Sequence, residues 1–234
     1  MKNIMKYSFI GLLIFSLTAC ETAQQVLSGM NTGNGALSTS EIAAGLKEAL
    51  TIGTQNSSNR LSAVDGFFGN AAIKILMPEE AKKVESALRN IGLGSLVDKA
   101  VLSINRAAEE ASRSAAPIFV NAIKEMTITD AVGILKGSDY AATDYFKSKT
   151  TTALSNAFRP VIEKALAKTD ATKYWGDVFS AYNKFAAKPV NTDLTGYVTE
   201  KSINGIFYEV GLEEQKIRKD PAARVTELLK KVFG

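Results

Sequence analysis

At three predicted helix starts between residues 38 and 130 a serine or threonine is followed three places later by an acid: Ser38 and Glu41, Ser95 and Asp98, Thr127 and Asp130. That spacing is a capping box. The hydroxyl oxygen accepts an amide hydrogen that the first helical turn leaves unpaired, and the acid reaches back to the amide of the capping residue. Each box commits the residues after it to a helix. A chain that opens helices this way, has only five prolines and shows no sustained apolar–polar alternation offers little from which to build a sheet. The predicted fold class is all-α, a single compact multi-helix bundle domain over residues 37–234.

The remaining punctuation fits that reading. The first helix runs from Ser38 to about Ala63, with Ile42, Leu46, Ala49, Leu50 and Gly53 on one buried stripe. Val64-Asp65-Gly66-Phe67-Phe68-Gly69-Asn70 ends it, and the paired phenylalanines either pin the turn to the core or plug a pocket. Ile73 to Met77 alternates like a strand but is short and stands alone. Pro78 at the first helical position, followed by Glu79 and Glu80, opens a helix that Gly92 and Gly94 stop. The box at Ser95 opens the helix expected to lie deepest. On it Ala108, Ala111 and Ala115 share a stripe with Ile104, while Arg106, Glu110 and Arg113 lie opposite, and Arg106–Glu110 and Glu109–Arg113 are spaced as i,i+4 pairs.

After a new start at Pro117, the box at Thr127 opens a helix closed by Gly137. A long helix follows from Asp139, with a bend at Pro160. Thr143 and Thr150 fall inside its apolar arc, where a threonine ordinarily bonds its own backbone. Asp170 caps a helix with Trp175, Val178, Phe179, Tyr182 and Phe185 on one side, a stripe suited to core or to the wall of a hydrophobic cleft. Residues 188–191 form a loop, Asp193 caps a helix over Leu194 to Lys219, and the last helix starts at Asp220-Pro221.

The amino terminus carries an address. Lys2 and Lys6 precede an apolar run from Tyr7 to Leu17, and Leu17-Thr18-Ala19-Cys20 follows. A membrane-spanning helix needs roughly 20 apolar residues, and this run is too short. Charge, apolar run, small residues and cysteine in that order form a lipoprotein signal. Residues 1–19 are the expected signal peptide. Cys20 is the expected lipidation site, and residues 20–36, glycine-rich and polar, are a flexible tether. Glu21, where an aspartate would favour inner-membrane retention, points to the periplasmic face of the outer membrane.

What the chain lacks excludes whole reaction classes. It has no histidine and one cysteine, so neither a serine–histidine triad nor a histidine-bound metal can be built, and no disulfide can form within it. Of 28 basic side chains, two leave with residues 1–19, so 26 face 24 acids. That balance gives no basic stripe for nucleic acid. No catalytic, cofactor-binding or metal-binding residue is assigned, and no cofactor is expected.

Asn105-Arg106-Ala107-Ala108-Glu109, Pro117-Ile118-Phe119, Met126-Thr127, Asp130-Ala131, Ile134-Leu135-Lys136-Gly137 and Ala142-Thr143 form a dispersed set. The ending adds Glu213-Glu214, Ile217-Arg218, Pro221, Arg224 and Val232-Phe233. In these residues the chain, from about Leu37 to its last residue, resembles the bacterial family catalogued as domain of unknown function 4197. The resemblance implies an exported helical domain, often lipid-anchored, and carries no reaction, ligand or catalytic residue.

One position stands out. At 100° per residue from Leu194, Ile203, Phe207, Val210 and Ile217 occupy an arc of about 140° to 220°, and Glu214 falls inside it at roughly 200°. Arg218 lies one turn on. A carboxylate facing a core must be paired, so Glu214 is expected to pair with Arg218, and with Arg224 in reach, in a polar cluster that Arg106 or Asp130 joins. The role expected first is a clamp on the C-terminal helices. Three function classes fit the chain: a membrane-anchored envelope protein binding a protein partner or hydrophobic ligand; a structural or assembly factor docking through an exposed apolar face; and, least, a carboxylate hydrolase of envelope polymers using acids such as Glu109, Glu110, Asp130, Asp144 and Glu214.

Overall fold

Ser38 ends the extended lead-in and takes up the first helix as a capping box: its Oγ accepts from the Glu41 amide at 3.2 Å, and Glu41 accepts from the Ser38 amide at 2.8 Å. The computed structural model describes residues 37–168 and 193–233, with Thr172, Trp175, Asn183 and Pro189 between them. The signal segment, Cys20, the tether, Asp170 and most of the aromatic stripe (Val178, Phe179, Tyr182 and Phe185) lie outside the described residues, as does most of the 188–191 loop. Among the described residues there are eight α-helices and no strand. They are α1 (Thr39–Ser62), α2 (Lys82–Asn90), α3 (Gly94–Ser112), α4 (Ala115–Glu125), α5 (Ile128–Lys136), α6 (Ala141–Ala167), α7 (Leu194–Lys219) and α8 (Glu227–Phe233). Short 3₁₀ turns precede α2 and α8.

The box at Thr127 opens α5, with Asp130 and Thr127 each accepting the other's amide. The box at Ser95 does not form. Gly92, at φ +83°, closes α2, and the amides of Gly92 and Leu93 return to the carbonyls of Arg89 and Leu88. This Schellman-type turn brings the chain round so tightly that α3 starts at Gly94 and swallows Ser95. Asp98 pairs instead with Arg89 at 2.8 Å. Pro78 likewise stands one place before the 3₁₀ turn rather than inside the helix. The long helix opens at Ala141 rather than Asp139 and continues through Pro160.

Among the described helices α7, not α3, is the deepest. Fifteen of its 26 residues are buried, against nine of 19 in α3. The reason is the run of small residues Thr195, Thr199, Ser202, Gly205 and Gly211, which lets neighbours approach beyond the single apolar arc. A Cβ at Gly205 would stand 2.5 Å from Phe67 Cε1, so glycine there is the socket for Phe67. Of the two adjacent phenylalanines, Phe67 is thus part of the core. Phe68 is half-buried, with the Lys74 ammonium 3.7 Å above its ring. The core between α4, α6 and α7 contains Phe119, whose ring meets those of Phe146 and Phe207 edge-on at 5.2 and 6.1 Å. Ala108, Ala111 and Ala115 are fully buried.

Ile73 to Met77 pairs with no strand among the described residues, yet Ile75 behaves as if it did. Its N–H donates to Asn105 Oδ1 (2.9 Å), and its carbonyl accepts from Asn105 Nδ2 (2.8 Å). A side-chain amide can engage both groups of one residue only when they point the same way, as in a strand. Asn105, wholly buried on α3, stands in for the missing neighbour.

Candidate functional site

Among the described residues four glutamates are buried, Glu109, Glu209, Glu213 and Glu214, and burial of a carboxylate has to be offset by donors. Glu214 accepts from the amides of Ala142 and Thr143 (both 2.9 Å) and from Thr143 Oγ1 (2.8 Å). These are orphan donors of the first turn of α6, so the charge also sits where the helix dipole favours it. Arg218 donates to the same carboxylate from Nε (3.0 Å) and Nη2 (2.8 Å). The guanidinium then reaches the Ile134 and Leu135 carbonyls at the end of α5. One buried ion pair therefore ties the start of α6 and the end of α5 to α7.

The other residues expected in this cluster lie elsewhere. Arg224 donates to the Ile217 and Arg218 carbonyls and closes the C-terminal end of α7. Asp130 is the capping acid of α5, its carboxyl held below the ordinary value by hydrogen bonds from Thr127. Arg106 belongs to a separate group, bridging Glu109 (2.6 Å) and Asp65 (2.8 Å). Those partners replace the expected i,i+4 pairs, because Glu109 turns inward and accepts the amides of Phe67 and Phe68 at 3.2 Å each. Thr150 bonds its own backbone, at the Phe146 carbonyl.

A third group was not legible in the sequence. Arg60 on α1 lies between Glu209 (2.5 Å) and Glu213 (2.6 Å) on α7. Asn70 donates to Glu209, and Asn56 and Lys216 donate to Glu213. Burial pushes the Glu213 carboxyl up, but Lys216, Arg60 and Asn56 outweigh it and hold it below the usual glutamate value. Glu213 in turn raises the Arg60 pKa, against burial and with help from Glu209. At 100° per residue both glutamates lie outside the apolar arc. The available signal was their i,i+4 spacing beside the small residues that widen the buried face. Of the acids considered for hydrolysis, Glu109 and Glu214 are thus filled with structural donors, Asp130 caps a helix, Glu110 is exposed on α3, and Asp144 is exposed beside Lys147.

An open groove of about 640 Å³ lies between residues 72–79 and α7. Its α7 wall carries Tyr197, Lys201, Asn204 and Tyr208, which recur every three or four residues along one face. Gly205 lies among them, and Leu76, Met77 and Lys74 face it from the other side. Tyr197 bridges the walls, its hydroxyl donating to the Leu76 carbonyl at 2.8 Å. Trp175, the one described member of the aromatic stripe, is buried and stacks on Tyr197 with ring centres 6.1 Å apart. Among the described residues no group of three or more acids or thiols is placed to hold a metal, and no helix is long and apolar enough to cross a membrane.

A family model described as a protein of unknown function, DUF4197, matches residues 36–234. The chain belongs to that family. The DUF4197 domain therefore includes every described helix and both walls of the groove. No curated protein and no solved structure matches the chain.

Proposed function

We propose that this chain is a lipid-anchored envelope protein whose DUF4197 domain is a binding module, with the groove between residues 72–79 and α7 as its binding site. The signal ending in Cys20 supports the anchor, and the placement follows from Glu21: the periplasmic face of the outer membrane. The groove carries the binding reading. Its volume lies in the range of ligand sites, and it combines aromatic walls with a few polar ends, whereas the buried carboxylates are engaged in holding helices together.

A second reading, docking in an envelope assembly, is favoured by one observation. Ile91, Leu93 and Leu96, at the turn between α2 and α3, are 70%, 40% and 53% exposed, an apolar tip that the fold itself does not use.

Two measurements test the proposal. Labelled palmitate fed to cells is expected on the wild-type chain and not on Cys20→Ser; an unlabelled, unprocessed wild-type chain overturns the anchor. A photocrosslinking residue at Tyr208 in the groove is expected to form adducts that one at Glu163, exposed on α6, does not. Equal crosslinking at both, or adducts confined to a probe at Leu93, overturns the groove in favour of the tip.

A further inference from the structure

If the groove is the binding site, as proposed above, its backbone and charge select the occupant. Asn105 takes the Ile75 N–H and carbonyl on the α3 side. The pleat of an extended segment then turns the adjoining groups of Lys74 and Leu76 to the opposite side, and the Leu76 carbonyl does meet Tyr197 on α7. Among the described residues the Lys74 carbonyl and the Leu76 N–H have no hydrogen-bond partner. One acceptor and one donor, two residues apart on one edge, are what an incoming strand pairs with in either direction.

Among the described residues lining the groove, positive charge is in excess. Lys74 and Lys201 line it, and among the described residues neither is in a salt bridge with a carboxylate. The Lys74 ammonium is on the Phe68 ring and that of Lys201 is 5.6 Å from the Tyr197 ring. The acid among the described lining residues, Glu79, is paired with Lys82 at 2.8 Å. From Tyr197 to Tyr208 the wall spans about 16 Å at 1.5 Å per residue, the length of roughly five extended residues.

We propose that the groove takes an acidic peptide strand, about five residues long, from another protein, paired with the edge at Lys74 and Leu76 and held by Lys74 and Lys201. The main-chain bonds supply a sequence-independent part of the affinity, and the two lysines select carboxylates.

The test uses the full chain in detergent and fluorescence anisotropy of labelled five-residue peptides: Glu-Val-Glu-Val-Glu, its lysine and threonine counterparts, and the glutamate peptide with N-methylated valines. The glutamate peptide is expected to bind, and to weaken roughly tenfold for each of Lys74→Gln and Lys201→Gln. N-methylation is expected to abolish binding. Lys201→Glu should shift preference toward the lysine peptide, a gain that misfolding cannot imitate. Equal binding of the threonine peptide, unchanged by the lysine variants, overturns the acidic preference while leaving the groove as a strand site. Undiminished binding of the N-methylated peptide overturns strand pairing. A groove that crosslinks at Tyr208 in cells but binds an anionic glycan and none of the peptides overturns the peptide identity alone; failure of every probe together with no crosslink at Tyr208 overturns the groove reading as well.

Discussion

Removing the Glu214 carboxylate tests the central claim about how the C-terminal helices are held. In Glu214→Ala the amides of Ala142 and Thr143 lose their acceptor, and Arg218, whose side chain is 13% exposed, loses its counter-charge. Breaking a buried pair from one side costs about 3–5 kcal/mol. Arg218 keeps its bonds to the α5 carbonyls, which places the expected loss near the lower end, at about 3 kcal/mol. With a urea dependence of about 2 kcal/mol per molar, the unfolding midpoint falls by about 1.5 M. Glu214→Gln keeps the shape and one acceptor and is expected to lose about half as much. Because the two side chains share one site, Glu214→Ala and Arg218→Ala should be strongly non-additive, with a coupling of at least about 1 kcal/mol in a double-mutant cycle. A loss below about 1 kcal/mol for Glu214→Ala with unchanged urea dependence, or additive single variants, refutes the clamp.

Three further outcomes follow from the same packing. The Glu213 carboxyl is held below its ordinary value of 4.5; its contribution is therefore fully present above that pH and is lost as pH falls through the lower, folded-state value. Urea titrations from pH 7 to 3 should show a shallower acid-side loss in Glu213→Gln than in wild type, and parallel curves would contradict the assignment. Gly205→Ala should lose about 1–3 kcal/mol through its clash with Phe67 and regain much of it when combined with Phe67→Leu, as read by thermal unfolding. Asn105→Leu leaves both backbone groups of Ile75 without their partner, at about 2–4 kcal/mol, and amide exchange should accelerate at Ile75 ahead of the helices; unchanged protection there would mean that Asn105 is not the stand-in strand.

The helix starts at Ser38, Thr127 and Asp193 were legible because a cap is a contract between residues three apart, complete within its own turn. The start at Ser95 was misread for the same reason in reverse: its outcome depends on the turn at Gly92, which had already committed the chain to helix. Glu214 could be found by angle because the apolar residues around it share its helix. Glu109, Arg60 and Glu209 could not: the Phe67 and Phe68 amides that draw Glu109 inward, and the partners that join Arg60 to Glu209, are 41 or more residues away in sequence.

Local spacing along the sequence, then, determines an all-helical chain, its main boundaries and one inward carboxylate, each set by forces acting over a turn or two. Only the tertiary structure decides that α7 is the axis, that three separate polar clusters replace the single one expected, and that Asn105 turns Ile73–Met77 into one wall of a groove. Those outcomes depend on which surfaces meet across the bundle, and a buried charge or an unpaired edge acquires its meaning from the side chains the fold brings to it.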